Sequence, residues 1–304
     1  MAREAFKSIN FSMKSLDLIS QCNEIIRDYA SQDLRLTLRQ LYYQLVTQNV
    51  IPNVERSYKN LSSLVTDARM AGKMDWSAIE DRVRKPRRAP QWDSIPDLVE
   101  SALNAFRLPR WEGQDYYCEL WVEKDALAGV LEPLAWEHHV TLMVNRGYSS
   151  ASAMYESAQR FMAGRNQAES DFYNEEESER EAVLFYLGDH DPSGEDMVRD
   201  VRERLVTFGV QDLTVKKIAL TMDQVRKYKP PPNPAKMTDP RSAGYVAEFG
   251  RQSWEVDALP PNVLAALVRE AIGGVLDREM MDAVIEREEI GKEKLKKAAA
   301  KIEV

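Results

Sequence analysis

Carboxylates that follow apolar runs are the side chains of this sequence best spaced for chemistry. Ala182 to Gly194 reads AVLFYLGDHDPSG: six apolar residues, a glycine, then Asp189 and Asp191 one residue apart. Such a run, rich in branched and aromatic side chains, makes a buried strand. Gly188 ends it, and Pro192, Ser193 and Gly194 lead into a helical pattern with Met197, Val198, Val201, Leu205 and Val206 on one face. Upstream, Tyr117 to Val122 (YCELWV) is a second strand-like run, closed by Glu123, Lys124 and Asp125. Ligands of open α/β sheets gather beyond the carboxyl ends of the strands. Neighbouring parallel strands would therefore bring Glu123 to face Asp189 and Asp191. Three acids converging there repel one another unless a divalent cation neutralises them, and a few carboxylates with several waters suit Mg²⁺. For the two aspartates taken alone, an Asx turn with a helix cap is the plain alternative.

VEK at 122–124 followed by GDHDPSG at 188–194 resembles the Toprim domain of topoisomerases. The DxDPxG form is similar to the A subunit of topoisomerase VI and its meiotic relatives. LRQLYYQ at 38–44 resembles the catalytic motif of the same family, where an arginine precedes an aromatic–tyrosine pair on a winged-helix domain. Matched residue to residue, Arg39 takes the arginine's place, Tyr42 that of the first aromatic and Tyr43 that of the nucleophile. Gln40 stands where the family often has an acid. WEVDAL at 254–259 is similar to a stretch late in the family's Toprim region, and makes Glu255 and Asp257 candidates for site support.

The resemblance implies Mg²⁺-dependent cleavage and rejoining of double-stranded DNA through a 5′-phosphotyrosyl intermediate. Glu123, Asp189 and Asp191 would hold the metal, with room for two ions, and Lys124 and His190 would support the site. It also implies a homodimer in which one protomer's Tyr43 faces the other's acids. No Walker A pattern is present and so no ATP site is expected, which makes a separate ATP-hydrolysing B-type subunit a candidate partner. In size the chain resembles the compact stand-alone mini-A forms of bacteria and their viruses or plasmids. Two other readings remain open: a hydrolytic Toprim nuclease that does not use the tyrosine, and a non-catalytic DNA-binding homodimer.

The residues around Tyr43 support a narrower reading. Thr37 can cap a helix whose stripe is Leu38, Leu41, Tyr42, Leu45 and Val46, a clean core face. Tyr43 lies about 100° around from Tyr42, on the flank carrying Arg39 one turn earlier. Tyr42 is thus expected in the core, and Tyr43 partly exposed beside a guanidinium. A phenol of pKa about 10 is a poor nucleophile until a neighbour stabilises its anion or the phosphorane, and Arg39 can do either.

The elements that must carry these groups follow from periodicity. Helical spacing marks 13–30, a capped second helix from Thr37, and a third from about Glu55 to Met70 whose polar side shows Arg56 and Lys59. Two helices and a short turn fit a winged-type helix-turn-helix, although the pattern alone favours an ordinary small helical domain with a solvated face. Asp81 to Arg88 (DRVRKPRR) packs five cations, Arg82, Arg84, Lys85, Arg87 and Arg88, into eight residues, a phosphate-binding candidate. Arg146, in a turn before a helix start, is another. Beyond a proline-punctuated junction, strands at 117–122, 140–144, 182–187 and 213–219 alternate with helices at 125–138, 149–161 and 194–208. Lys227 to Pro240 should be an extended loop, 261–272 a Pro-initiated helix, and 277–303 a helix-favouring end. The expected fold is an α/β Toprim domain, a parallel Rossmann-like sheet, preceded by a mostly helical winged-helix (CAP-like) domain. The expected divisions are 1–90, a linker at 91–110, the sheet domain at 111–276 and a C-terminal helix at 277–304.

Composition agrees with these assignments. The 304 residues are 44% hydrophobic and 30% charged, with no apolar run of membrane-span length and no apolar leader-like start, so a cytoplasmic, DNA-associated protein is expected. Two cysteines without a CxxC spacing give no zinc or disulfide framework. The net charge of −8 is unevenly spread, since residues 1–110 hold 17 Lys and Arg against 13 Asp and Glu. Overall charge does not veto a local basic groove.

Overall fold

The computed structural model describes residues 3–32, 34–80, 89–145, 147, 149–165 and 180–301. The chain begins with α1 (Met13–Ala30), α2 (Leu38–Thr47) and α3 (Glu55–Met70). Thr37 and Gln40 close a capping box on α2: the Thr37 N–H donates to Gln40 Oε1 at 2.8 Å, and the Gln40 N–H to Thr37 Oγ1 at 3.3 Å. This fixes the start of the helix that carries Arg39 and Tyr43. Cys22 and Ile26 of α1, Leu41 and Leu45 of α2, and Leu61 and Val65 of α3 share one apolar core. Residues 81–88, with Arg82, Arg84, Lys85, Arg87 and Arg88, lie outside the described residues. Next comes α4 (Ile95–Ala105), with Pro96 in its first turn.

Four parallel strands follow: β1 (Tyr116–Val122), β2 (Thr141–Val144), β3 (Glu181–Leu187) and β4 (Leu213–Ala219), in the order β2-β1-β3-β4. Residues two apart along a strand share a face. Leu120, Val122, Val183, Phe185 and Leu187 therefore turn to one side, against α5 (Ala128–Glu137) and, later in the chain, the Pro261–Gly273 helix. Trp121, Leu184 and Tyr186 turn to the other, against α6 (Ala151–Arg165) and α7 (Pro192–Thr207). This is a three-layer α/β, Rossmann-like arrangement. Its register pairs Val122 with Leu187, so the residues after β1 and β3 leave the same edge side by side.

After β4 the chain forms α8 (Met222–Tyr228), and β5 (Asn233–Pro234) pairs antiparallel with β6 (Gln252–Ser253) across α9 (Ser242–Phe249). The proline-rich loop is thus shorter than the sequence suggests, and α9 was not foreseen. Val206 is a second correction: it is 51% exposed, at the end of α7 beyond the sheet's cover. The chain then adds α10 (Pro261–Gly273) and α11 (Arg278–Ala299). Among the described residues no helix is long and apolar enough to cross a membrane.

Glu288 of α11 is fully buried and ties that helix to the segment before β1. It accepts the Leu108 N–H at 3.1 Å, Arg110 Nη2 at 2.9 Å and Lys292 Nζ at 3.0 Å. Burial opposes its ionisation, but Arg110, Lys292 and the Leu108 amide outweigh that and hold it down at about 2. A carboxylate depressed on folding stabilises the fold above its unfolded pKa and loses that contribution as pH falls through the folded value. Glu288→Gln is therefore expected to cost about 2–3 kcal/mol at neutral pH. Urea titrations should show the difference from wild type shrinking between pH 4.5 and 2; a gap independent of pH would refute the assignment.

Candidate active site at the sheet edge

Glu123 and Asp189 emerge together because β1 and β3 are paired up to their last residues. The Asp189 N–H donates to Glu123 Oε2 at 3.2 Å. Two glycines let the turn close. A Cβ on Gly188 would sit 2.6 Å from the Tyr186 ring and 3.1 Å from Glu123 Oε2, and one on Gly194 would sit 2.2 Å from the Asp189 carbonyl oxygen. The GDHDPSG spacing is therefore a steric requirement of this edge.

Lys124 lies at the centre of the site. Its ammonium reaches Asp189 Oδ2 at 2.9 Å, Glu255 Oε2 at 2.8 Å and Asp257 Oδ1 at 2.9 Å. Asp189 Oδ1 accepts the Val256 N–H at 2.9 Å, and Lys217 donates to the Asp189 carbonyl oxygen at 2.8 Å. Arg39 arrives from α2: its Nε donates to Asp257 Oδ2 at 2.9 Å and its Nη2 to Glu255. Its guanidinium carbon lies 5.6 Å from the Tyr43 ring centroid, and the charges of Glu255 and Asp257 bear on the Tyr43 phenol.

Four carboxylates (Glu123, Asp189, Glu255 and Asp257) thus face two cations, Lys124 and Arg39, a formal surplus of two negative charges. Burial pushes Asp189 up to about 7, and Glu123 and Asp257 add to this against the pull of Lys124. Glu255 behaves oppositely: despite its burial, Lys124 and Arg39 hold it at about 2. Burial, then the charge of Glu255, raises the Tyr43 phenol above the usual tyrosine range, with Arg39 opposing.

Tyr42 is buried, as its place on the stripe requires, and its hydroxyl donates to Asn53 Oδ1 at 2.9 Å. Tyr43, expected to be partly exposed, is only 5% exposed. The flank it occupies is covered by Glu255 and Asp257 from the far end of the chain. Asp191 has a defined local role, since its Oδ1 accepts the Gly194 N–H at 2.6 Å and so caps α7. Among the described residues no three His, Cys, Asp or Glu side chains form a ready metal cluster.

The donor chemistry nevertheless fits Mg²⁺. Glu123 and Asp189 are hard oxygen ligands on one edge, Asp189 shared with Lys124, and Mg²⁺ commonly takes only one or two carboxylates, completing its shell with waters and substrate phosphate. These two residues would hold it, with Asp191 at the rim. His190 has a structural place. Its main chain pairs with Trp254 (N–H to O, 2.8 Å), its Nδ1 lies 2.8 Å from the Tyr245 hydroxyl, and burial lowers its pKa and favours the neutral ring.

Arg56 and Lys59 are exposed on α3, and Lys59 pairs with Glu55 at 2.7 Å. Arg146 lies outside the described residues. Lys217 is a member of the site that sequence reasoning missed. It sits in LTVKKIA, where alternation suggests an ordinary half-exposed strand.

No family profile matches the chain, and no curated protein matches it.

Proposed function

We propose that this protein is a Mg²⁺-dependent DNA-cleaving enzyme of the topoisomerase VI A type. In this reading the parallel-sheet part is a Toprim domain and the helical part a winged-helix domain presenting Tyr43. The observation that carries the reading is the meeting of Arg39 and Tyr43 with the Lys124–Asp189–Glu255–Asp257 cluster at the carboxyl edge of the sheet. A lone structural ion pair would not need a tyrosine ring beside its guanidinium. Bound Mg²⁺ would supply Lewis-acid polarisation of the scissile phosphate and stabilise the departing oxygen.

The chain's own residues do the rest. Tyr43 Oη attacks phosphorus, forming the Tyr–O–P bond at the 5′ side while the P–O3′ bond breaks and the 3′ oxygen leaves with its electron pair. The phenolic proton is lost to solvent, and the 3′ oxygen is protonated from solvent. Glu255 is a weak base because two cations hold it ionised, so stabilising the phosphorane charge falls to Arg39 and Lys124. Attack by the 3′ hydroxyl reverses each bond change. Each chain cuts one strand, so two chains are needed to cut a duplex.

A second reading, hydrolysis by water without the tyrosine, is favoured by one observation: Tyr43 is buried, with 5% of its surface exposed. Supercoiled DNA incubated with the protein and Mg²⁺, then denatured and protease-treated, separates the readings. Protein-linked 5′ ends that vanish with chelator are expected. Free ends would favour hydrolysis, and uncut DNA retarded on gels would favour a non-catalytic DNA-binding protein.

A further inference from the structure

A cavity of about 230 Å³ lies in the helical part of the molecule, between the last turn of α1, the segment leading into α2, and residues 75–78. Ile26, Leu34, Leu36 and Ala78 give it an apolar wall. That wall has a fixed shape: Leu36 forms a parallel bridge with Ile79, and the Glu80 N–H donates to the Leu36 carbonyl at 2.9 Å.

Two of the other lining residues, Tyr29 and Asp75, are polar and each only 3% exposed. Asp75 Oδ1 caps the helical turn Trp76–Ala78, accepting the Ser77 N–H and the Ser77 hydroxyl, both at 2.8 Å. A cap needs only one oxygen. The other, Oδ2, is buried with no hydrogen-bond partner, and the Tyr29 hydroxyl has none among the described residues. Burial opposes the ionisation of Asp75, but the Ser77 bonds and the charge of Arg3 outweigh it, so the group is a carboxylate at neutral pH. Arg3 and Arg69 act on it through charge and do not bond to it. A buried acceptor without a partner costs about 1–3 kcal/mol, which capping alone does not explain. Arg35 also lines the cavity; it is exposed, and it has no ion-pair partner among the described residues.

We infer that this cavity binds a small zwitterion, its ammonium end held by Asp75, its anionic end by Arg35, with a short apolar body between them. Bonds from a charged donor to a carboxylate are the strong ones, so an ammonium is the group best matched to Asp75. The apolar wall disfavours a hydrated inorganic cation and suits a hydrocarbon side chain. The size also fits: an apolar cavity of about 150 Å³ takes benzene, so this one admits a free apolar amino acid. The site lies apart from the carboxylate edge of the sheet and does not depend on the chemistry of Tyr43.

Calorimetric titration of the full chain tests this with four probes. L-Phenylalanine and L-leucine carry both charges, phenethylamine only the ammonium, and 3-phenylpropionate only the anion. At least one of the two amino acids is expected to saturate the protein at millimolar concentration or below, and each half-analogue to bind at least about tenfold more weakly than phenylalanine. Asp75→Asn keeps a capping side chain and loses the charge, and should weaken the amino acid by about tenfold or more. Arg35→Gln should weaken phenylalanine while leaving phenethylamine unchanged. Ala78→Leu fills the cavity and should remove binding, with melting curves reporting that each variant is folded.

No binding of either amino acid to wild type at about 10 mM would overturn the inference. So would phenethylamine or 3-phenylpropionate binding as tightly as phenylalanine, or an amino-acid affinity unchanged in folded Asp75→Asn or Ala78→Leu. The half-analogues pose the question on unaltered protein, so a variant that fails to fold does not leave it open.

Discussion

Phenylalanine at position 43 should abolish protein-linked DNA ends while leaving a folded protein. The ring is held by apolar packing and by its edge-on contact with Tyr42 at 5.3 Å, none of which needs the hydroxyl. Folding loses at most the polar contacts of one hydroxyl, a cost of no more than about 1–2 kcal/mol. Chemistry loses its nucleophile, and removing the attacking atom from a covalent centre typically costs at least about 10⁴-fold. Quantifying adduct after denaturant quench, with melting curves alongside, measures both. Tyr42→Phe is the matched control, because its hydroxyl bonds to Asn53 and the Val54 carbonyl and to no carboxylate directly. Normal adduct in Tyr43→Phe, or its loss only in Tyr42→Phe, would overturn the assignment.

The largest effect on stability is expected from Asp257→Ala. Its side chain has no exposed surface and receives one bond from Arg39 and one from Lys124. Removing it leaves two cations with part of their counter-charge gone, and breaking a buried pair from one side costs about 3–5 kcal/mol. Asp257→Asn keeps the acceptor oxygen and should lose roughly half as much. The Lys59–Glu55 pair on α3 makes a useful contrast, since both side chains are more than two-thirds exposed and its removal should leave the midpoint almost unchanged. Urea midpoints for the three variants rank these effects; an Asp257→Ala loss below about 1 kcal/mol would mean that the network is not structural.

The sheet was legible because its central strands are short apolar runs closed by Gly or charge, and the register of β1 on β3 then follows from their matched lengths. The helix carrying Arg39 and Tyr43 was legible down to its cap. The covering of Tyr43 was not, because a helical wheel knows only its own helix and the residues that bury this flank lie over 200 positions away. Asp191 shows a different limit. An aspartate at the start of a helix can be a ligand or a cap, and only coordinates reveal that its Oδ1 points to the Gly194 amide. The helix Ser242–Phe249 escaped notice because prolines upstream dominate the local pattern.

Arg39 and Asp257 are separated by 218 residues, so their bond closes one of the longest loops in the chain. During synthesis the tyrosine helix leaves the ribosome long before the WEVDAL segment exists. A nascent chain, or a fragment that has lost its final third, would carry the phenol without the carboxylates that orient it. The Arg39–Asp257 bond therefore waits for segment 254–259 to be made, and under the proposed function an earlier intermediate would lack the carboxylates beside its tyrosine.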